Sequence, residues 1–271
     1  MGYYISVEQN VNVFVEDLDP GHGKPILFIH GWPLNHKQFE YQFNQLPKMG
    51  YRCIGIDLRG FGKSDRPWKG YSYNRLADDI RIVIDTLQLE DITLAGHSMG
   101  GAIAIRYMAR HAGYKVSKLV LIGAAAFTRR PIGLTKEEVK RWERTWNDLI
   151  EATYTDRPKM LDGVGDVFFE RYVTESFKDW FHGLGIEASG HATAMCAVSL
   201  RDEDLGQDLS KIYVPTGIFH GIHDKVCPFK FAELMHAQIK GSELIPFMYS
   251  GHGLFYEERE KFNRELIRFI E

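Results

Sequence analysis

Two segments near the start of the chain alternate apolar and polar residues: Tyr3-Tyr4-Ile5-Ser6-Val7 and Val11-Asn12-Val13-Phe14-Val15. A period of two marks strands with one buried face, and the Gln9-Asn10 pair between them predicts an antiparallel turn. After the loop Asp19-Pro20-Gly21-His22-Gly23 the pattern changes. Short unbroken apolar runs now alternate with helical stretches. The runs are Pro25-Ile26-Leu27-Phe28-Ile29, Cys53-Ile54-Gly55-Ile56, Ile92-Thr93-Leu94-Ala95 and Leu119-Val120-Leu121-Ile122. Runs without polar alternation predict strands covered on both faces. Between them, Leu76, Ile80, Val83, Ile84 and Leu87 recur at helical spacing, and Ala102 to His111 predicts a second helix. Strands alternating with helices predict an α/β fold, a mostly parallel twisted sheet with helices on both faces.

The alternation stops after Gly123. From 127 to 205 the pattern is helical only. Thr135-x-x-Glu138 fits a capping box, and Val139, Trp142, Trp146 and Leu149 repeat on one face. Phe168, Phe169, Tyr172, Phe177, Trp180 and Phe181 follow, interrupted by Gly163, Gly165, Gly183 and Gly185. This stretch predicts a helical cap, 127–205, inserted into a core made of 1–126 and 206–271. The alternative is ordinary crossover helices with aromatic core contacts. Strands return at Pro215 to Phe219 and Leu244 to Met248, with helices at Lys230 to Ile239 and Glu257 to Ile270.

Composition narrows the function classes. A chain of 271 residues buries a large core without disulfide or metal support. Lys and Arg number 33 against 36 Asp and Glu, a net charge of −3. That balance lacks the electrostatic footprint of a general nucleic-acid binder. No apolar run approaches the ~20 residues of a membrane span, and no block of like charge suggests a membrane-binding tail. Cys53, Cys196 and Cys227 are odd in number and scattered, so a reducing, cytoplasmic setting is expected.

The strongest chemical signal is Gly96-His97-Ser98-Met99-Gly100-Gly101, where the third apolar run meets its helix. A G-x-S-x-G pattern at a strand–turn–helix junction projects the serine above the sheet. Glycines at 96 and 100 let strand and helix approach closely, and the helix start favours a developing oxyanion. The same architecture draws a second oxyanion donor from the loop after the first sheet strand, here His30-Gly31-Trp32-Pro33. The expected donors are the Trp32 and Met99 amides, since Pro33 has no N–H. His30 is expected to organise the turn rather than act as a base. A serine nucleophile needs a base and a group that orients it. Asp224, in His220-Gly221-Ile222-His223-Asp224-Lys225-Val226-Cys227-Pro228, and His252, in Ser250-Gly251-His252-Gly253, both follow predicted strands. Ligands of open α/β sheets bind at such carboxyl ends. His220, His223, Asp202 and Asp204 are rivals for these roles. The strand end Gly123-Ala124-Ala125-Ala126 carries no acid.

Three other signals are weak. Gly60-Phe61-Gly62-Lys63-Ser64 resembles the end of a phosphate-binding loop, but Asp57 stands where its first glycine belongs, and a surface loop is expected instead. The His220, His223, Asp224 and Cys227 set matches no zinc spacing, so no metal is expected. The cap aromatics, without a basic surface, suit an apolar pocket better than nucleobase stacking.

Taken together, the Gly96–Gly101 elbow, His30-Gly31-Trp32-Pro33, Asp57-Leu58-Arg59-Gly60-Phe61-Gly62-Lys63-Ser64, Asp224 and His252 resemble the α/β-hydrolase superfamily. Within it the chain is similar to bacterial arylesterases and cofactor-free haloperoxidases, or perhydrolases. The resemblance implies an α/β-hydrolase fold with a helical cap and a Ser98–His252–Asp224 triad. It also implies oxyanion donors at Trp32 and Met99 and an acyl pocket under the cap. In the perhydrolase branch a proline follows the oxyanion residue, as Pro33 does here, which implies peracid formation as a side activity. The chain departs from its relatives at Ile222, which replaces a first acidic residue, and at Gly251, which replaces a proline before the histidine. Trp32, Pro33, Phe127, Phe168 and Val226 are the expected pocket residues.

The expected activity is hydrolysis of short-chain or aryl carboxylic esters through an acyl-enzyme, with a small-molecule ester as partner and no cofactor. Nucleic acid and membrane are not expected partners, and a homo-oligomer is left open. Alternatives are a lactonase or C–C bond hydrolase, and a slow-turnover small-molecule receptor that retains the triad. A histidine base near its ordinary value predicts that activity falls around pH 6–7.

Overall fold

The computed structural model describes residues 1–126 and 135–271. Phe127 therefore lies outside the described residues. Eight strands form one sheet: β1 (Gly2–Glu8), β2 (Val11–Leu18), β3 (Lys24–Ile29), β4 (Tyr51–Ile56), β5 (Ile92–His97), β6 (Val116–Ile122), β7 (Thr216–Gly221) and β8 (Ser242–Phe247). Their order is β1-β2-β4-β3-β5-β6-β7-β8. The β1–β2 and β2–β4 pairs are antiparallel, and every other pair is parallel. The first hairpin turns at Asn10, which takes a left-handed φ of 62°.

Helices α1 (Tyr73–Thr86), α2 (Met99–Arg110), α3 (Lys136–Thr155), α4 (Arg157–Phe168), α5 (Glu175–Ile186), α6 (Gly190–Asp202), α7 (Lys230–Gln238) and α8 (Arg259–Ile270) connect and cover the strands. The central strands show why apolar runs, rather than alternation, mark them. Leu27 and Ile29 pack into one core, while Ile26 and Phe28 pack into the core on the other face. Leu119 and Leu121 split from Val120 and Ile122 in the same way. Each residue is buried whichever way it points, so the period of two carries no polar half.

Helices α3–α6 lie between β6 and β7. They add to both cores: Trp146, Leu161, Ala192 and Cys196 to one, Phe168, Phe177 and Phe181 to the other. The capping box at Thr135 and Glu138 forms as the sequence predicts. The glycines do not interrupt the helices. Gly163 and Gly165 sit inside α4, and Gly183 and Gly185 inside α5. At three of them a side chain would meet open space, so the missing Cβ weakens the helix without ending it.

Two further expectations change. The Gly60–Ser64 segment is not a surface loop: all of it except Lys63 is buried. Asp57 folds it inward, accepting the Lys63 amide on Oδ2 at 2.9 Å and the Ser64 hydroxyl on its carbonyl at 2.5 Å. The last helix is shorter than its apolar spacing suggests. It starts at Arg259 after a short turn, Leu254–Glu257, because the Glu258 carboxylate is drawn back to the Tyr249 amide and the Ser250 hydroxyl. All three cysteines are buried and unpaired.

Candidate active site

The site is built at the carboxyl ends of β3, β5, β6, β7 and β8, which are neighbours in the sheet. Ser98 is the residue between β5 and α2. Its φ of 53° and ψ of −116° are strained for a residue with a side chain, a conformation worth about 1–3 kcal/mol. The surroundings enforce it. The Ser98 amide donates to Ile122 O at 2.9 Å, and its carbonyl accepts from Ala125 N at 3.1 Å. A Cβ on Gly96 would stand 2.3 Å from Gly100 O, and one on Gly100 would stand 2.3 Å from Ile29 O. Only glycine permits this approach of strand and helix. Met99 opens α2, so its N–H has no intrahelical acceptor and lies at the positive end of the helix.

The loop after β3 runs alongside. His30 is fully buried. Its Nδ1–H donates to Gly31 O at 2.9 Å, and its Nε2 accepts the Leu58 amide at 3.0 Å. Burial pushes its imidazolium down to about 4, so the ring is neutral. With both nitrogens holding backbone, His30 organises the turn, as the sequence suggests. Gly31 N–H is taken by Gln38 Oε1 and Leu34 N–H by Gly31 O. Pro33 has none, which leaves the Trp32 amide. The Trp32 indole Nε1–H donates to Thr193 O of α6 at 2.8 Å, and its ring meets Trp146 edge-on.

After β7, Asp224 is buried in a tight turn. Its Oδ1 accepts the Val226 and Cys227 amides at 2.8 and 2.7 Å. Its Oδ2 accepts His252 Nδ1–H at 2.7 Å. Burial works against charge on both partners, pushing Asp224 up to about 7 and His252 down to about 3. Three donors on the Asp224 carboxylate oppose that burial and keep it an acceptor. The resting His252 is neutral and able to take a proton. Among the described residues no three His, Cys, Asp or Glu side chains gather as metal ligands.

A family model described as alpha/beta hydrolase fold matches residues 24–143. The AB hydrolase superfamily protein YisY of Bacillus subtilis is 54% identical over 99% of each chain. The chain belongs to the α/β-hydrolase superfamily. Its relatives there include esterases and non-heme haloperoxidases. An esterase from Exiguobacterium antarcticum has a TM-score of 0.92 at 49% identity, covering 100% of this chain and 99% of its own. The bifunctional esterase/perhydrolase DCH of Acinetobacter calcoaceticus is 30% identical over 98% of this chain and 99% of its own.

In this α/β-hydrolase the expected pocket residues have separate surroundings. The Phe168 ring meets His252 edge-on at 4.9 Å, and its carbonyl accepts the His252 and Gly253 amides. Val226 contributes its amide to Asp224 and packs its side chain on the core. Pro33 lines a groove against α4 and α5 with Leu34, Leu161, Phe169, Phe181 and Gly185. The rivals stand elsewhere. His223 is exposed, Asp202 pairs with Arg201, and Asp204 holds the Gly206 amide. His220 is buried below the pair, donating from Nε2 to Cys227 O at 2.7 Å, 3.5 Å from Asp224 Oδ2.

Sequence reasoning missed two residues. His97, the variable position inside the elbow motif, donates from Nε2 to His252 O at 3.0 Å. Its ring lies 4.5 Å from that of His252. Gly123 closes β6 with a φ of 49°, and a Cβ there would stand 3.2 Å from His252 Nδ1 and 3.4 Å from Asp224 Oδ2. A glycine directly after a buried apolar run is the signal that could have found it.

Proposed function

We propose that the protein is a serine carboxylic-ester hydrolase acting on short-chain or aryl esters, with residues 127–205 as the cap over its site. The supporting observation is the 2.7 Å His252–Asp224 hydrogen bond at the sheet edge where Ser98 holds its strained elbow. His252 Nε2 takes the Ser98 proton as Oγ attacks the ester carbonyl. Asp224 holds the imidazole in the Nδ1–H tautomer and stabilises the cation that forms. The Trp32 and Met99 amides receive the oxyanion; in comparable sites one such donor is worth about 3–4 kcal/mol. His252 then protonates the departing alcohol, and water activated by the same imidazole releases the acid. No step needs a cofactor. Trp32, Phe168 and Val226 give the acyl group apolar surroundings. The three free thiols suit a cytoplasmic enzyme.

Peracid formation is a second outcome of the same acyl-enzyme. Pro33 after the Trp32 oxyanion donor and the esterase/perhydrolase relative favour it. Hydrogen peroxide replaces water as the nucleophile, and acyl-enzyme plus peroxide gives peracid plus free Ser98.

Intact mass after fluorophosphonate treatment tests the reading. A single adduct on the parent, absent from Ser98→Ala, is expected. No adduct on folded parent protein overturns it and favours the receptor alternative.

A further inference from the structure

The loop that carries His252 is tied to the turn at 168–171, and one buried carboxylate bonds both. Glu257 lies in the short turn after His252. Its Oε2 accepts the Gly251 amide at 2.9 Å, next to the histidine. Its Oε1 accepts the Glu170 and Arg171 amides, both at 2.7 Å, in the turn that leaves cap helix α4. The Arg171 guanidinium donates in turn to Glu257 O at 2.7 Å. Three backbone donors, one from the neighbouring loop and two from a segment more than eighty residues away, thus converge on one side chain.

The cap turn and the His252 loop are otherwise in direct contact. Phe168 O accepts the His252 amide at 2.9 Å and the Gly253 amide at 3.1 Å. A Cβ on Gly253 would stand 2.3 Å from the Phe169 ring, and one on Gly251 would stand 3.0 Å from Glu170 N. The same turn reaches the acid loop: Glu170 pairs with Lys225, the neighbour of Asp224, at 2.8 Å. Residues 168–171 therefore touch both loops that supply the base and its orienting acid.

We propose that Glu257 is a positioning residue that ties the cap turn 168–171 to the His252 loop, so that the seating of the cap sets the orientation of the imidazole. Glu257 meets no substrate. It acts through Gly251 and His252, and its loss leaves three amides without their acceptor. The imidazole then samples orientations in which Nε2 no longer faces Ser98 Oγ, although the apolar pocket persists. The signature is a fall in kcat with KM preserved, because substrate binding does not depend on the ring angle while proton transfer does.

This inference rests on the proposed Ser98–His252–Asp224 reading. The test compares the parent with Glu257→Gln and Glu257→Ala, using a p-nitrophenyl ester for kcat and KM and a fluorophosphonate for the rate of Ser98 labelling. Glutamine keeps an acceptor for the cap amides but turns a donor toward Gly251 N–H. Expected are a kcat loss of about tenfold for glutamine and about a hundredfold for alanine, with KM little changed and labelling slowed in proportion. Hydrogen exchange across residues 249–253 is expected to quicken in the folded glutamine variant. If alanine does not fold, glutamine alone carries the test. Unchanged kcat and labelling in a folded glutamine variant overturn the proposal, as does a KM that rises while kcat holds. A parent that takes no label instead overturns the triad reading itself.

Discussion

Among the described residues, two buried histidine–carboxylate pairs share one separation, 2.7 Å from ring nitrogen to oxygen, in opposite electrostatic settings. His252–Asp224 lies beside the serine elbow. His36–Asp57 joins the segment after β3 to the residue that follows β4. Asp57 is used up by the fold. Its Oδ1 takes both the backbone and the ring N–H of His36, and its Oδ2 takes the Lys63 amide. A Cβ on Gly62 would stand 2.2 Å from that oxygen. Burial works against the Asp57 charge, but the hydrogen bond and charge of His36 outweigh it and hold the carboxyl below its ordinary value. At Asp224 burial prevails, and the carboxyl rises. The structural pair thus stabilises its charge, while the pair beside Ser98 carries charge at the expense of stability. A short hydrogen bond does not mark a catalytic pair. What distinguishes the proposed catalytic pair is its place beside the serine elbow and a carboxylate whose burial is incompletely offset.

The sharpest way to break this contrast is to neutralise each acid in turn. Asp224→Asn is expected to lower kcat by about 10⁴, as in other triads where the orienting acid is replaced. The sign of its stability effect follows from the raised carboxyl. A group whose folded value is raised loses its stabilising contribution as pH rises from its unfolded value to its folded one. At pH 8 the asparagine variant should therefore melt no lower than the parent, and a drop of several degrees would refute the contrast. Asp57→Asn should do the reverse. Its depressed carboxyl contributes stability above the unfolded value, lost only as pH falls through the folded one. Urea unfolding at pH 7 should show a loss of about 1–3 kcal/mol. The kcat of the molecules that remain folded should hold within about threefold, measured well below the melting temperature.

A smaller effect sharpens the picture at the proposed catalytic pair. Gly123→Ala forces a side chain into a left-handed residue and toward the His252–Asp224 bond. The strain of about 1–2 kcal/mol should appear as a kcat loss of about tenfold. Full activity with an unchanged melting temperature would show that the loop yields. The smallest expected effect is on the pH profile. Burial lowers His252, so the base stays neutral further into acid than an exposed histidine. While Asp224 is charged, the acid limb of kcat/KM set by His252 should lie below pH 6.5 rather than at the pH 6–7 of an unperturbed ring. A midpoint near 7 would mean that protonation of the raised Asp224 carboxyl, not of the imidazole, ends activity.

Much of this arrangement was legible in the chain. The elbow could be located because its glycines are sterically obligatory at fixed spacing, and its context is a buried run followed by a helix. Asp224 and His252 could be placed because each follows an apolar run at the same edge of a parallel sheet. The roles of His97, Gly123 and Glu257 were not legible. His97 and Gly123 meet His252 from distant places in the chain, and Glu257 meets the remote turn at 170–171; no local pattern records such meetings. The Gly60–Ser64 loop was misplaced for a related reason. Glycines and a lysine read as exposed, yet Asp57 folds all but the lysine inward through the Lys63 amide and the Ser64 hydroxyl, which a sequence does not show.

The sequence by itself determined the strands, the helices, the turn glycines and which residue types could perform nucleophilic catalysis, because these follow from local sterics and the spacing of apolar side chains. Only the tertiary structure decided which of two close buried His–Asp pairs lies beside the serine elbow, how burial divides charge between its members, and that the turn at 168–171 is fastened to the His252 loop. Those outcomes depend on desolvation and on contacts between segments far apart in the chain.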